Sequence, residues 1–269
     1  MSTLDDAPDA AANGDEPTRP RDFVQSVERA LAIIRAFGPA TPALTASEIA
    51  TTTGLTRAAA RRFLLTLVEL GYVRSDGRLF SLTPRVLELG YAYLSSLSLP
   101  EVAQPLLEQL VRESQESSEG AILDGEEIVY VVRVAGPAIM NATVPIGSRM
   151  PAAATALGRA LLAGLPDDEL DAYLATVTLR RFLPNTIVDR EALRAELLRV
   201  RAQGYAIVDQ ELEEGLLAIA VPVRDRSGAT VAAINLSTHV ARRTREEARE
   251  LLLPPLRRAA AGIEAGLTR

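Results

Sequence analysis

The chain has 269 residues, 48% of them hydrophobic, which is enough for two domains with cores of ordinary size. Its formal net charge is −6, its 29 basic residues are all arginine, and it has a single histidine and no cysteine. Disulfides, thiolate nucleophiles and metal sites built from imidazoles and thiolates are excluded on that count, and no cofactor is expected.

Residues 1–20 carry five acids against one arginine and have no apolar centre of the kind a signal peptide needs, so a disordered acidic tail is expected. No run approaches the roughly 18 apolar residues of a membrane span, and a soluble, cytoplasmic protein without membrane contact is expected. Residues 24–37 have helical periodicity, with Val27, Ala30, Leu31, Ile34 and Phe37 on one side and Gly38-Pro39 as the stop. Residues 44–82 then read as a winged helix-turn-helix. Thr45 and Glu48 have capping-box spacing at the start of a short helix, Gly54 breaks it, and Thr56 caps a longer helix over 57–70 that ends at Gly71. Asp76-Gly77 between 72–75 and 78–82 predicts a two-residue hairpin turn.

Ala60, Phe63, Leu64, Leu67 and Val68 form the apolar arc of the longer helix. Its other side carries Ala58, Ala59, Arg62 and Thr66, with Arg61 on the flank and Arg57 in the first turn. Small side chains beside guanidinium groups suit entry into a major groove about 12 Å wide. Thr56, Arg57, Arg61 and Arg62 are therefore the candidate contacts to bases and phosphates, with Arg74 and Arg78 gripping the backbone from the hairpin. Residues 21–90 hold nine arginines against six acids, a net of only +3. A module so weakly basic binds duplex DNA loosely, and two or more copies per operator are expected.

Residues 85–96 predict a linker helix whose apolar surface spreads widely enough to suggest burial at a dimer contact, and a further helix follows over 101–114. From Gly120 the pattern changes. Strands are expected at 121–123, 128–134, 141–146, 205–212, 216–224 and 229–238, interleaved with helices over 155–165, 167–174 and 189–202, and Thr244 with Glu247 opens a last helix. Strand pairs joined by tight turns and mixed with helices imply an α+β fold with a mostly antiparallel sheet.

Little in this second half points to catalysis. His239 reads as an exposed loop residue, and the acids Asp209, Glu211, Glu213 and Glu214 read as solvated at a strand connection. No phosphate-binding glycine loop is present, and catalytic and metal residues are assigned as none. A ligand pocket is the better reading. The small-residue run MPAAATALG over 150–158 leads into a helix start at Thr155, while Asn235 and Ser237, two apart on a strand, share one face and could orient a ligand. An exposed sheet face is the competing explanation for that polar pair.

The runs GLTRAAARRFLLTL at 54–67, LTPRVL at 82–87, GRALL at 158–162, VDQELEEG at 208–215 and IAVP at 219–222 resemble those of IclR-type transcriptional regulators. The likeness runs from about Phe23 to the C-terminus and extends to the branch that controls aromatic-acid catabolism. It implies a winged-helix domain, a linker helix and a GAF-like effector domain, assembled as dimers or tetramers, in which a metabolite alters DNA binding or RNA polymerase contact. Motif by motif, the family's pocket falls on Ala156, Leu157, Val208-Asp209, Ala218, Asn235 and Ser237. One departure stands out: the branch's basic pair before Ile139-Met140 is replaced by Gly136-Pro137-Ala138.

The resulting expectation is a tail over 1–20, a winged helix-turn-helix over 21–83, a linker over 84–99 and an effector-binding and oligomerisation domain over 100–269. Its partners are a double-stranded DNA operator, a small organic or aromatic acid, and further copies of itself. Three alternatives stay open: an unrelated small organic acid as effector, a ligand-metabolising enzyme with a DNA-binding appendage, and an architectural DNA binder with no ligand.

Overall fold

The computed structural model describes residues 22–94, 99–137 and 144–267, so the acidic tail, Ala138 and the Ile139-Met140 pair lie outside the described residues. The chain forms two compact units that divide between Tyr91 and Ala92, inside the expected linker.

In the first unit, helix α1 (Gln25–Ala36) is followed by a two-residue strand β1 (Leu44–Thr45), helix α2 (Ala46–Thr53), helix α3 (Arg57–Glu69) and strands β2 (Val73–Ser75) and β3 (Leu79–Leu82). The capping box forms as the spacing requires: the Thr45 N–H donates to Glu48 Oε2 at 2.7 Å, and the Glu48 N–H donates to Thr45 Oγ1 at 3.3 Å. Hydrogen bonds from Thr45, that of its backbone N–H first, hold the Glu48 carboxyl below its ordinary pKa. Gly54 ends α2 in the left-handed region at φ +68°, which turns the chain into α3. Strand β1, too short to read from the sequence, pairs with β3 and makes a three-stranded sheet in the order β1-β3-β2. Its core gathers Ile33, Ile49, Leu64, Leu67, Val73 and Phe80.

The structure corrects two expectations in this unit. The apolar arc of α1 does not face the core as a whole: Val27 is 57% and Leu31 48% exposed, while Ile33 is fully buried. The helix carries two apolar stripes, and the one centred on Ile33 and Ile34 is the one that meets α2 and α3. The hairpin turn sits one residue later than expected. Ser75 pairs with Phe80 and the Asp76 N–H donates to the Leu79 carbonyl at 3.2 Å, which leaves Gly77 and Arg78 at the tip, and Asp76 Oδ1 accepts the N–H of Arg78 and Leu79 at 3.0 and 2.8 Å. Helix α4 (Leu87–Leu94) follows a short 3-10 turn, with Leu87 and Leu89 exposed.

The second unit opens with helix α5 (Leu99–Ser114) and strands β4 (Ser118–Asp124), β5 (Glu127–Val134) and β6 (Arg149–Pro151). Helices α6 (Ala156–Leu162), α7 (Asp167–Thr176) and α8 (Arg190–Gln203) come next, then strands β7 (Ala206–Asp209), β8 (Leu216–Arg224) and β9 (Thr230–His239). A C-terminal helical segment comprises α9 (Arg245–Glu247), a π turn and α10 (Leu253–Leu267). The π turn precedes Pro254 and Pro255, which supply no N–H to a regular helical ladder. Six strands form one sheet in the order β6-β5-β4-β9-β8-β7, every pair antiparallel. Residues 144–146 of the expected third strand are not extended in the sheet; β6 takes that edge.

Alternation along the strands gives the sheet two buried faces. One, carrying Val131, Ile207, Ile219, Val221, Ile234 and Leu236, packs on α5 and α10. The other is lined by small residues, Ala121, Ala206, Ala218, Ala220 and Ala233, and packs on α6 and α8. That smallness lets α6 come close to the sheet, and Gly158 inside α6 lets the preceding turn fold back on the helix: a Cβ added at Gly158 would lie 2.1 Å from the Ala152 carbonyl oxygen.

Candidate functional site

Helix α3 divides as its sequence predicts. Ala60, Leu64 and Leu67 are buried, whereas Arg57, Ala58, Arg61, Arg62 and Thr66 are exposed. Leu65, 48% exposed, lies on the same outer side and does not stand out in the sequence. Arg57, Arg61, Arg62, Arg74 and Arg78 form no salt bridge among the described residues, so five guanidinium groups of one small unit stand ready for anions. Thr56 also caps the helix. Its Oγ1 accepts the Ala59 N–H at 3.2 Å, which leaves its own O–H as the donor for a phosphate. Arg85 behaves differently. It donates to the Leu70 carbonyl at 3.0 Å and lies 5.4 Å from the Tyr72 ring centroid, a structural arginine at the base of the hairpin.

In the second unit, the chemistry collects between α6 and the small-residue face of the sheet. A cavity of about 50 Å³ is lined there by Thr155, Ala156, Leu157, Ala218, Asn235 and Ser237 among others. Six of the seven expected effector residues thus share one cavity wall. Asn235 and Ser237 are 4% and 8% exposed, which rules out a solvated sheet face. Thr155 caps α6, accepting the Gly158 N–H at 3.1 Å. The seventh, Asp209, falls outside the lining: alternation on β7 turns Val208 to the cavity and Asp209 to the other side, where Gln210 Nε2 donates to it at 3.2 Å.

Glu211, two residues on, is not solvated as the sequence suggests but buried in the cavity wall. It pairs bidentately with Arg159 of α6, at 2.7 Å from Nη1 to Oε1 and 2.5 Å from Nη2 to Oε2. Arg159 also donates through Nε to the Ala153 carbonyl at 2.9 Å, and the Ile187 N–H donates to Glu211 Oε2 at 3.2 Å. A guanidinium only 1% exposed is therefore held by protein groups through each of its nitrogens. Behind the Asn235/Ser237 pair lies a further buried acid, Glu119 of β4. Its backbone N–H donates to Asn235 Oδ1 at 2.7 Å, and its Oε2 accepts from the Ser237 hydroxyl at 3.3 Å. Burial pushes the Glu119 carboxyl up, against smaller opposing pulls from Asn235, Arg133 and Ser237. The Tyr130 hydroxyl, in the cavity wall, is raised too, by burial and then by the Glu119 charge, and stays protonated. Sequence reasoning singles out neither Glu119 nor Tyr130; the signal available was an acid and a tyrosine on inward positions of adjacent strands.

A larger open cleft of about 520 Å³, lined by Arg149, Tyr173, Phe182 and Ile187 among others, contains none of the expected effector residues. Among the described residues no group of three or more His, Cys, Asp or Glu side chains is arranged to hold a metal ion, and no helix is long and apolar enough to cross a membrane.

An arginine-faced winged helix, together with a separate sheet domain that encloses a small, mainly apolar cavity with a few polar side chains, is the build of an effector-controlled DNA-binding regulator. The chain belongs to the IclR family: its residues 26–77 match the IclR helix-turn-helix domain and residues 91–265 the C-terminal domain of bacterial IclR transcriptional regulators. It is 45% identical over 236 residues to the Pca regulon regulatory protein of Pseudomonas putida, covering 87% of this chain and 81% of that one. A transcriptional-regulator structure from Rhodococcus sp. RHA1 superposes with a TM-score of 0.83 at 56% identity, covering 91% of this chain and 98% of that one. An IclR homologue from Microbacterium hydrocarbonoxydans, solved with 4-hydroxybenzoate, gives a TM-score of 0.80 at 27% identity, covering 90% of this chain and 98% of that one.

Proposed function

We propose that the chain acts in the cytoplasm as a homo-oligomer that places one α3 per half-site in the DNA major groove and releases or remodels that contact when an aromatic acid or ring-cleavage product fills the α6 cavity. Thr56, Arg57, Arg61 and Arg62 make the groove contacts, and Arg74 and Arg78 steady the hairpin. Contact with RNA polymerase belongs to the same reading. The observation that carries it is the convergence of Thr155, Ala156, Leu157, Ala218, Asn235 and Ser237 on one buried cavity, within a chain whose relatives include a Pca regulon regulatory protein and a p-hydroxybenzoate hydroxylase transcriptional activator. The effector controls DNA binding only through its preference for one state; a tenfold preference is worth about 1.4 kcal/mol.

One observation favours a different small acid within the same reading. A Cβ at Gly136 would lie 2.6 Å from the Glu116 carbonyl carbon and 2.7 Å from the Ser117 nitrogen, so no side chain fits there, and the basic pair that the family resemblance implies before Ile139-Met140 is replaced by Gly136-Pro137-Ala138. Thermal unfolding of the full chain with 4-hydroxybenzoate, protocatechuate and β-ketoadipate discriminates. A true effector at a hundredfold excess over its Kd adds about 2.7 kcal/mol and raises Tm by several degrees. Filling the cavity with Ala218→Phe should remove that rise while leaving operator binding in place. A flat Tm for every acid tested would remove the aromatic-acid reading.

A further inference from the structure

The cavity has an electrostatic problem that its composition does not resolve for an anionic guest. No guanidinium lines it: Arg159 lies behind the wall, held bidentately by the lining acid Glu211, and a second acid, Glu119, stands directly behind the polar pair that faces the guest. Side-chain donors for a carboxylate in the cavity wall are the Thr155 hydroxyl, the Ser237 hydroxyl, the second N–H of Asn235 Nδ2, and the Tyr130 hydroxyl, which makes no hydrogen bond among the described residues. The Ser237 proton is already committed. Asn235 Nδ2 donates to Ser237 Oγ at 3.0 Å, and Ser237 Oγ in turn donates to Glu119 Oε2. For Ser237 to serve a guest it must turn away from Glu119, and an ionised Glu119 would then face the guest's negative charge with one oxygen unsatisfied.

Resting on the effector reading above, we propose that Glu119 is a proton-linked specificity residue: an organic carboxylate binds at Asn235 and Ser237 together with one proton, taken from solvent onto Glu119. With Glu119 neutral the hydrogen-bond chain closes without a conflict. The Glu119 O–H donates to Ser237 Oγ, Asn235 Nδ2 still donates to the same oxygen, and the Ser237 O–H swings to the guest carboxylate. Ser237 then uses both lone pairs and its one proton. One proton enters from water for each carboxylate bound, and no other bond changes.

The groups that face Glu119 permit this. From β5, Arg133 Nε lies 3.8 Å from Glu119 Oε1, too long for a hydrogen bond, and that nitrogen is buried without a partner. Tyr130, also on β5, is neutral, and β9 offers only the uncharged Asn235 and Ser237. Arg159 of α6 is matched by Glu211. Glu116, just before β4, is held by Arg242 and Arg243 at 3.4 and 3.1 Å. Among the described residues no cation is hydrogen-bonded to Glu119 to keep it ionised, and its burial already favours the neutral form. A bound carboxylate favours that form further. The sign follows: affinity is strongest below the Glu119 pKa of the free protein and falls with rising pH, by up to about tenfold per pH unit, until the higher pKa of the complex is passed.

Isothermal titration calorimetry of the full chain with 4-hydroxybenzoate, protocatechuate and β-ketoadipate tests this between about pH 5 and 8, in two buffers of different ionisation enthalpy. Wild type should take up close to one proton per carboxylate bound in part of that range and lose affinity as pH rises. Glu119→Gln, whose amide donates to Ser237 as the protonated acid would, should bind with no proton uptake and flat affinity, tighter than wild type at the alkaline end. A merely structural role for Glu119 predicts weaker binding by the variant at every pH. Binding by wild type without proton uptake, or uptake that persists in Glu119→Gln, overturns the proton linkage and leaves the effector reading intact. Absence of binding by all three acids at every pH overturns both.

Discussion

Glu211→Ala should unfold the chain's second unit at a temperature lower by about 10 °C, the largest single-residue effect expected outside the apolar core. The substitution leaves Arg159, 1% exposed, with an uncompensated charge whose only remaining partner among the described residues is the Ala153 carbonyl. Removing one member of a buried pair costs about 3–5 kcal/mol, because the charge left behind cannot regain its hydration. One further anchor weakens in the same step: the Ile187 N–H loses its acceptor, whereas the Thr186 hydroxyl keeps the residue-211 backbone carbonyl that it meets at 2.5 Å. The pair itself need not be a net source of stability, since two desolvated charges repay their hydration only in part. The double replacement Arg159→Met with Glu211→Leu should therefore lose less than Glu211→Ala alone. Calorimetric or circular-dichroism melting of the three proteins checks this. A Glu211→Ala Tm within about 2 °C of wild type would mean that the guanidinium finds water or another acceptor.

How the sequence reports on these features differs between the two units. In the first, each element carries its own punctuation: Thr45 with Glu48, Gly54, Thr56 and Gly71 fix where helices start and stop, and the structure realises every one. What escapes a local reading is set by partners distant in sequence. Strand β1 is two residues long and exists only because β3 pairs with it. The choice between two apolar stripes on α1 is made by α2 and α3, not by the helix. In the second unit the strands can be placed by alternation, and the i, i+2 spacing puts Asn235 and Ser237 on one face. The charge chemistry cannot be placed in the same way. Arg159 and Glu211 are 52 positions apart, and Glu119 lies 118 positions from Ser237, so nothing local marks them as partners. An acid next to glutamates and glycine reads as solvated until the fold shows which way it points. Asp209 illustrates the same limit from the other side: a one-residue step along β7 decides whether an acid lines the cavity or leaves it.

The double substitution Arg61→Ala, Arg62→Ala should lower operator affinity by at least about a hundredfold while leaving folding and the effector's thermal shift unchanged. Both side chains are exposed and without a salt bridge among the described residues, so their loss should change stability by no more than about 0.5 kcal/mol. Their effect lies wholly in the complex. A guanidinium on a guanine edge carries about 1–3 kcal/mol of discrimination, and one on a phosphate carries salt dependence and no sequence preference. The two roles separate on a plot of log affinity against log salt, where each lost phosphate contact reduces the slope by about 0.9. If Arg62 reads bases and Arg61 holds backbone, Arg62→Ala should weaken binding selectively on the operator, whereas Arg61→Ala should weaken it on all duplexes and flatten the slope. On the proposed reading of two copies per operator, each change counts twice there. Arg85→Ala is the matched control: that side chain is already engaged by Leu70 and Tyr72, so its loss should lower Tm and leave the slope alone. Fluorescence anisotropy on a footprinted genomic fragment at several ionic strengths measures all of these. An unchanged slope and affinity for the double variant would take α3 out of the groove.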